Sequence, residues 1–305
     1  MNTGLMMRRY LAVVGCASVL AIGALTSAGL AQVAANSTAF ARFEASRPDS
    51  KQVIEYRVID SVLASLVVGN GNTSEVRYDA IKGDGERVLT QLASGFATVD
   101  PTELNPDEQL AYWLNLRALL VLRSAAQAFP SAKAEKLLEP GSAFYTTKAI
   151  KISGTDLSIS DIDAIILKRS AANPNVIYGL ALPVREAPAF PTKAYRGATV
   201  NAALDAAARA FINRSGSVKA DANAAKVPQF LISHRDRLGG DDPAVLAHIR
   251  GLAAPKLGQK LMMTTRLSAD PRLSLNAFAE RSFADRAAFG GVSGGGGGGG
   301  AGAGS

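Results

Sequence analysis

One stretch decides the fold of this chain: Asn105-Pro106-Asp107-Glu108-Gln109-Leu110-Ala111-Tyr112-Trp113-Leu114-Asn115-Leu116. Asn105 is a good N-cap residue, the proline after it suits the first helical position, and Glu108 stands where a capping-box carboxylate can reach back to the cap amide. The residues that follow are apolar almost all round, which is typical of a helix covered by protein on every side. We therefore predict a buried central helix near 106–129, which Pro130 ends.

Three polar side chains interrupt this apolar helix along one stripe. Glu108, Tyr112 and Asn115 fall at i, i+4 and i+7, so they share one face. A buried amide needs hydrogen-bond partners. Asn115 therefore either ties the backbone of a neighbouring loop to the helix or forms the wall of a binding site, and all three residues are cleft candidates.

Other helices are predicted around the central one, near 50–68, 84–96, 161–170, 199–213, 243–254 and 274–288. Ser160, with Asp163 three residues later, is the predicted cap of the helix at 161–170. No internal repeat is visible in the sequence.

Strands are few and short. Residues 148–152 alternate in polarity, 154–156 predict a turn and 157–159 return, which indicates a hairpin. The run 176–182 is apolar on both faces and is closed by a proline, which is typical of an interior strand. We therefore predict an α+β fold, a mostly helical domain packed around a small β-sheet.

The two ends of the chain predict no part of that domain. Arg8 and Arg9, an apolar run and the small residues before Gln32 predict a cleaved signal peptide at 1–31. The alternative is a lipoprotein anchor at Cys16, which we do not favour because the apolar run continues well past it. At the other end, 289–305 is rich in glycine and predicts a disordered tail.

Between these ends, we predict an N-terminal helical extension at 32–75 and a single globular domain at 76–288. No further stretch is long enough for a membrane span, so we expect none in the mature chain. The formal net charge of +7 falls by two on removal of the signal peptide. Because Lys and Arg are not clustered with interleaved aromatic residues, we expect no nucleic-acid partner.

The order and wording of several phrases resemble a known family, the domain of unknown function 547. The phrases are Val76–Ile81, Glu108–Leu116, Leu157–Ile162, Val176–Leu180, Ala187-Pro188, Ala194–Gly197 and the helix through Leu204 to Asn213. They span about 76 to 254. The resemblance implies this family's fold but no established activity.

Departures from the family pattern bear on function. The resemblance implies Tyr-Asn at Arg117-Ala118 and Glu-His at Asp163-Ala164, and it implies a His at Ile177 and cysteines at Leu182 and Ala187. If those family residues form a reactive or metal-binding site, this chain lacks that chemistry. It resembles a pseudoenzyme.

The inventory of reactive side chains points the same way. Removal of the signal peptide removes the only cysteine, so no thiol nucleophile or thiolate ligand remains. The two histidines match no zinc spacing, and no glycine loop between a strand and a helix could hold a phosphate. We therefore expect no metal and no cofactor.

Each histidine has its own interpretation. His248 stands on a predicted amphipathic helix, where a plain helical position is the simplest reading. His234 lies beside Ser233 and Asp236, which suggests a hydrolytic triad. Because triads are usually assembled from distant segments, a polar residue at the end of a strand is the alternative.

Arg117 lies on the buried side of the central helix, where a guanidinium requires a carboxylate or several carbonyl partners. We predict that it lines a remnant cleft. It is either paired with Asp161 or Asp163 as a plug, or free to bind an anionic ligand, and the plug is favoured because an unpaired buried charge is costly.

Together these patterns predict an exported protein, periplasmic or extracellular, that acts as a non-catalytic binding or scaffold protein for an unknown envelope ligand or protein. The alternative is a hydrolase or transferase with a relocated site around Ser233, His234 and Asp236. A purely structural interaction protein is a further alternative.

Overall fold

A computed structural model describes residues 40–69, 72–221 and 223–278. The predicted signal peptide and the predicted tail at 289–305 lie outside these residues. The chain divides into two compact units at Ala45 and Ser46, and the described part of the first ends in a 3₁₀ turn, Arg42–Glu44. The domain boundaries predicted at 75 and 288 stay predictions.

The second unit is mostly helical. Its α-helices, within the described residues, are Arg57–Leu66, Tyr78–Ala80, Glu86–Phe96, Pro106–Ala128, Ala134–Leu137, Ala143–Thr146, Ile159–Arg169, Val200–Asn213, Gln229–Ser233, Asp242–Leu252 and Pro255–Leu261. The helices predicted near 84–96, 106–129, 161–170, 199–213 and 243–254 are confirmed to within a few residues, whereas the one near 50–68 is shorter at both ends.

The helix Pro106–Ala128, which we call the central helix, is buried along nearly its whole length, as predicted. The Asn105 side chain caps it by accepting from the backbone N–H of Glu108 at 3.0 Å. The capping box predicted for Glu108 is wrong. Its carboxylate turns away from the cap amide and accepts from the backbone N–H groups of Ile54 and Gly197 instead. Backbone N–H groups that are shielded from water need such an acceptor.

The strands confirm the α+β class but are divided among three small sheets. Two are antiparallel pairs, and the third has the order 219–221, 224–228, 266–270, with its last pair parallel. The antiparallel pairs are Val67–Gly69 with Ser74–Val76 and Ile150–Ile152 with Thr155–Leu157. The single small sheet of the prediction is therefore replaced by three.

The predicted hairpin is confirmed with a tighter turn. Ile152 pairs with Thr155, so the turn consists of Ser153 and Gly154 alone. Their φ angles are 46° and 86°. Positive φ at both turn residues matches the right-handed twist of the flanking strands, which is why a glycine is favoured there.

The interior strand predicted at 176–182 is wrong. A buried 3₁₀ helix, Pro174–Gly179, occupies most of this run, and the Asn173 side chain caps it by accepting from Asn175 N–H. An apolar run without alternation does not distinguish strand from helix, and here the local cap decides. A Cβ at Gly179 would lie 2.8 Å from side-chain carbons of Leu114 and Leu204, so this helix packs closely on the central one.

The helix predicted near 274–288 is wrong over its described part. Residues 274–278 are extended, with isolated bridges from Val184 to Leu275 and from Val76 to Ala277. Tyr78 donates to Asn276 Oδ1 at 2.7 Å, which holds this segment against the domain. The remainder of the prediction falls outside the described residues.

The cap of the helix Ile159–Arg169 also differs from the prediction. Ser158, and not Ser160, is the N-cap, and it forms a capping box with Asp161. The Ser158 hydroxyl donates to Asp161 Oδ2 at 2.6 Å, and Ser158 N–H donates to the same oxygen at 2.8 Å. The helix therefore starts earlier because the capping box fits two residues upstream.

This cap gives a matched pair of variants. We predict that Ser158→Ala lowers the free energy of unfolding by about 1–2 kcal/mol, because it leaves the cap of a buried helix start unmade. Ser160→Ala, two residues away, should change it by less than about 0.5 kcal/mol. Urea unfolding of both variants measures the difference, and an equal loss in the two would contradict the assigned cap.

Candidate functional site

The polar stripe of the central helix binds backbone. Glu108 accepts from Ile54 N–H and from Gly197 N–H, each at 3.0 Å, through its two oxygens. Asn115 donates to Tyr195 O and accepts from Tyr195 N–H, both at 2.8 Å. Tyr112 donates to the backbone oxygen of Phe96 at 2.9 Å. The tying of loop backbone to the helix, one of the two readings of Asn115, is what the structure shows.

The loop that Asn115 holds approaches the helix very closely. A Cβ at Gly197 would lie 2.5 Å from Glu108 Oε2 and 2.7 Å from Glu108 N. Only glycine fits such an approach without a shift of the backbone. The stripe thus holds the segment around residues 194–197 against the central helix.

Arg117 is paired, as the plug prediction states. Its Nε and Nη2 donate to the two carboxylate oxygens of Asp163, and its Nη1 donates to Ala181 O at 2.7 Å. The side chain of Arg117 is 2% exposed and that of Asp163 is 20% exposed. Asp161, the other predicted partner, binds Ser158 and Lys148 instead.

A cavity of about 380 Å³, which we call the apolar cavity, lies beside this ion pair. Its walls come from segments far apart in the sequence. The apolar lining is formed by Leu138, Pro140, Leu182, Val184, Phe230 and Leu273. Arg117 Nη1 donates to Ala181 O, and the next residue, Leu182, lines the cavity, so the pair stands near it.

The polar groups that line the apolar cavity are mainly uncharged. Burial raises the pKa of Tyr145 to about 12, so its hydroxyl stays protonated. Burial lowers the pKa of His234, which keeps the imidazole neutral near pH 7. Ser160 and Ser233 also line it, and the one carboxylate, Glu186, accepts from Ser274 N–H at 2.8 Å.

His234 is held in one tautomer. Its Nδ1 lies 2.9 Å from Phe230 O, and since a carbonyl can only accept, Nδ1 carries the proton. The neutral ring then has Nε2 as an acceptor. The prediction of a strand end is wrong, because His234 follows the short helix Gln229–Ser233.

The triad suggested by Ser233, His234 and Asp236 is not assembled. Among the described residues, no hydrogen bond joins His234 to either of the other two. Ser233 Oγ accepts from Gln229 Nε2 at 3.3 Å, and Asp236 is exposed on the following turn. A nucleophile and its base need hydrogen-bond reach, which adjacent positions on a helix end do not provide here.

His248 lies away from that cavity's lining, on the helix Asp242–Leu252, as predicted. Its Nε2 and the Tyr178 hydroxyl are 2.9 Å apart, and the two rings are stacked with centroids 5.9 Å apart. Burial lowers the pKa of His248. Its contacts fit a packed helical residue.

Two further findings concern metal-binding groups and membrane-spanning helices in the described residues. In residues 40–69, 72–221 and 223–278, no group of three His, Cys, Asp or Glu side chains could hold a metal ion. Within the same part of the chain, no helix has the length and apolar character that crossing a membrane requires.

Part of the chain is similar to one known protein family. Residues 101–212 match the family described as "Protein of unknown function, DUF547". The match confirms the resemblance to this family, over a shorter range than the quoted phrases cover. A search of curated proteins and a search of solved structures each gave no match.

Two lining residues of the apolar cavity stand out in the sequence. Leu182 and Ala187, singled out as positions where the family pattern implies cysteines, both line the apolar cavity. The walls formed by Leu138, Phe230 and Leu273 were missed. No signal in the sequence marks them, because single apolar residues on separate segments look like ordinary core positions.

The buried ion pair yields a prediction about stability. Asp163→Leu leaves a guanidinium buried without its carboxylate, so we expect a loss of about 3–5 kcal/mol in the free energy of unfolding. Arg117→Met should lose less, because Asp163 keeps some contact with water. The double variant Arg117→Met with Asp163→Leu should recover most of the loss, since an apolar pair of similar volume replaces the charges.

Urea unfolding of the three variants is the measurement. Arg87→Met serves as the control, because Arg87 forms an exposed ion pair with Asp84 that should contribute less than about 1 kcal/mol. A double variant no more stable than Asp163→Leu alone would contradict the assignment of a coupled pair.

Proposed function

We propose that this protein is an exported, non-catalytic binding protein of the cell envelope, and that the apolar cavity is its binding site. The observation that carries the proposal is the lining of that cavity. It combines apolar walls with a few neutral polar groups, the pattern of small-molecule sites, and its volume of about 380 Å³ lies within the usual range for them.

The charges around the cavity favour a neutral ligand. Its lining contains no Lys or Arg, and Glu186 would repel an anion. Arg117, the nearby cation, is already neutralised by Asp163. A ligand with an apolar body and one hydroxyl or carbonyl could pair with Tyr145 or His234, which supply a donor and an acceptor.

The absence of catalysis in the proposal rests on the residues at the cavity. The resemblance implies cysteines where Leu182 and Ala187 line it and a His where buried Ile177 stands. The leucine, alanine and isoleucine side chains at these three positions can contact a ligand but cannot act as nucleophiles or bases. The alternative, a hydrolase or transferase at Ser233, His234 and Asp236, lacks the hydrogen bonds that link such a set, and an activity abolished by His234→Ala would support it.

A ligand test follows from the cavity. We predict that 1-octanol raises the melting temperature of the full chain in a concentration-dependent way, because a ligand that binds only the folded state stabilises it. Ser233→Phe should abolish the shift, since Ser233 is an exposed residue of the cavity lining and a phenyl ring there fills the space.

The matched control is Ser65→Phe, an exposed serine on the helix Arg57–Leu66. It should leave the octanol shift unchanged. If 1-octanol does not stabilise the protein, or if Ser233→Phe responds like the unaltered chain, the cavity is not the binding site. A scaffold that binds another protein would then be the better proposal.

Export is a separate part of the proposal and is tested on its own. In a bacterial host that secretes the full chain, we predict processing before Gln32, measured by the intact mass of the exported protein. Ala31→Leu should leave the precursor uncut, because signal cleavage needs a small residue at that position. Cys16→Ser should change nothing, whereas a block of processing by Cys16→Ser would show the lipoprotein route.

A further inference from the structure

A second cavity, of about 250 Å³, lies beside the paired strands Val67–Gly69 and Ser74–Val76. We call it the donor cavity. Its lining includes Ser74, Glu75, Arg185 and Arg214. Val184 and Ala187 line both this cavity and the apolar one, but the polar groups of the two are different.

Arg214 is a half-buried cation without a carboxylate partner among the described residues. Its Nη1 donates to Ala187 O at 3.2 Å, and its guanidinium carbon lies 4.8 Å from the centre of the Phe211 ring. The charge of Glu186 acts on it, but that carboxylate accepts from Ser274 instead. Most of the N–H groups of Arg214 therefore have no acceptor in the described chain.

Ser74 adds a second donor. It is 7% exposed, and its Oγ accepts from Phe190 N–H at 2.8 Å. Its own hydroxyl hydrogen has no acceptor among the described residues. A buried donor without an acceptor is unusual, because most such groups are satisfied by protein, water or a ligand.

The remaining charges of the cavity largely cancel. Arg185 and Glu75 form an ion pair at 2.6 Å. Among the described residues of the lining, Arg214 is thus the cation without an ion-pair partner, and Ser74 adds a free donor. Burial lowers the pKa of Arg214 because the guanidinium has lost water, and the charge of Glu186 offsets part of this effect.

We propose that the donor cavity binds a small monocarboxylate, whose oxygens accept from the guanidinium of Arg214 and from the hydroxyl of Ser74. The planar guanidinium fork fits a carboxylate with two parallel hydrogen bonds. A single negative charge matches the single uncompensated cation, whereas a doubly charged phosphate would also face Glu75. The donor cavity is a separate site from the apolar cavity. Its polar residues are different, and its proposed ligand is an anion, whereas the apolar cavity favours a neutral ligand.

The test is a titration of the full chain with propionate and, in parallel, with propionamide, at constant ionic strength set with sodium chloride. Isothermal calorimetry or amide chemical shifts report binding. We expect propionate to bind and its neutral amide to bind at least tenfold more weakly. Arg214→Gln should weaken propionate binding at least tenfold, Arg214→Lys less because it keeps the charge without the fork, and Ser74→Ala severalfold.

Two controls keep the result specific. Arg87→Gln, at an exposed arginine that is not a residue of the lining, should bind propionate like the unaltered protein, and so should Ser233→Phe, which separates this site from the apolar cavity. No binding of propionate would overturn the proposal. Equal binding of propionate and propionamide, or unchanged binding by a folded Arg214→Gln or Arg214→Lys protein, would overturn it as well.

Discussion

The fold depends on one constraint, that the buried polar side chains Glu108 and Asn115 of the central helix need hydrogen-bond partners. The central helix meets this constraint by binding backbone from other segments. Glu108 holds Ile54 and Gly197, and Asn115 holds Tyr195, so the positions of the surrounding loops follow from the polar positions on one helix. The apolar faces supply most of the burial, but these hydrogen bonds decide which loop lies where.

The same constraint shapes the candidate site. Arg117 donates to Asp163, which joins the central helix to the helix Ile159–Arg169. It also donates to Ala181 O, which joins the central helix to the segment that precedes the cavity residue Leu182. The neighbouring cavity has an apolar lining whose polar groups are mainly uncharged. Arg214 instead gives the donor cavity a cation without an ion-pair partner among the described residues, so the two cavities suit ligands of different chemistry.

Much of this could be predicted from the sequence, and the failures have physical causes. Asn105 and Pro130 bound the central helix because caps and prolines act locally. A carboxylate partner for Arg117, Asp161 or Asp163, followed from the cost of an unpaired buried charge, and the structure shows Asp163. The strand predicted at 176–182 failed because a uniformly apolar run suits a buried 3₁₀ helix equally well. The cap was misplaced from Ser158 to Ser160 because both serines are followed three residues later by an aspartate. The cavity walls could not be predicted, since Leu138, Phe230 and Leu273 come together only through the tertiary fold.

The most direct test of the central claim is a crystal structure of the protein grown with 8-bromo-1-octanol. The anomalous scattering of bromine locates the ligand without reference to any expected pose. The account predicts a bromine peak inside the apolar cavity, in contact with Leu182 or Phe230, and an intact Arg117–Asp163 pair beside it. A bromine peak only at other surfaces, or a cavity closed by its own side chains, would contradict the proposal that the apolar cavity binds neutral apolar ligands.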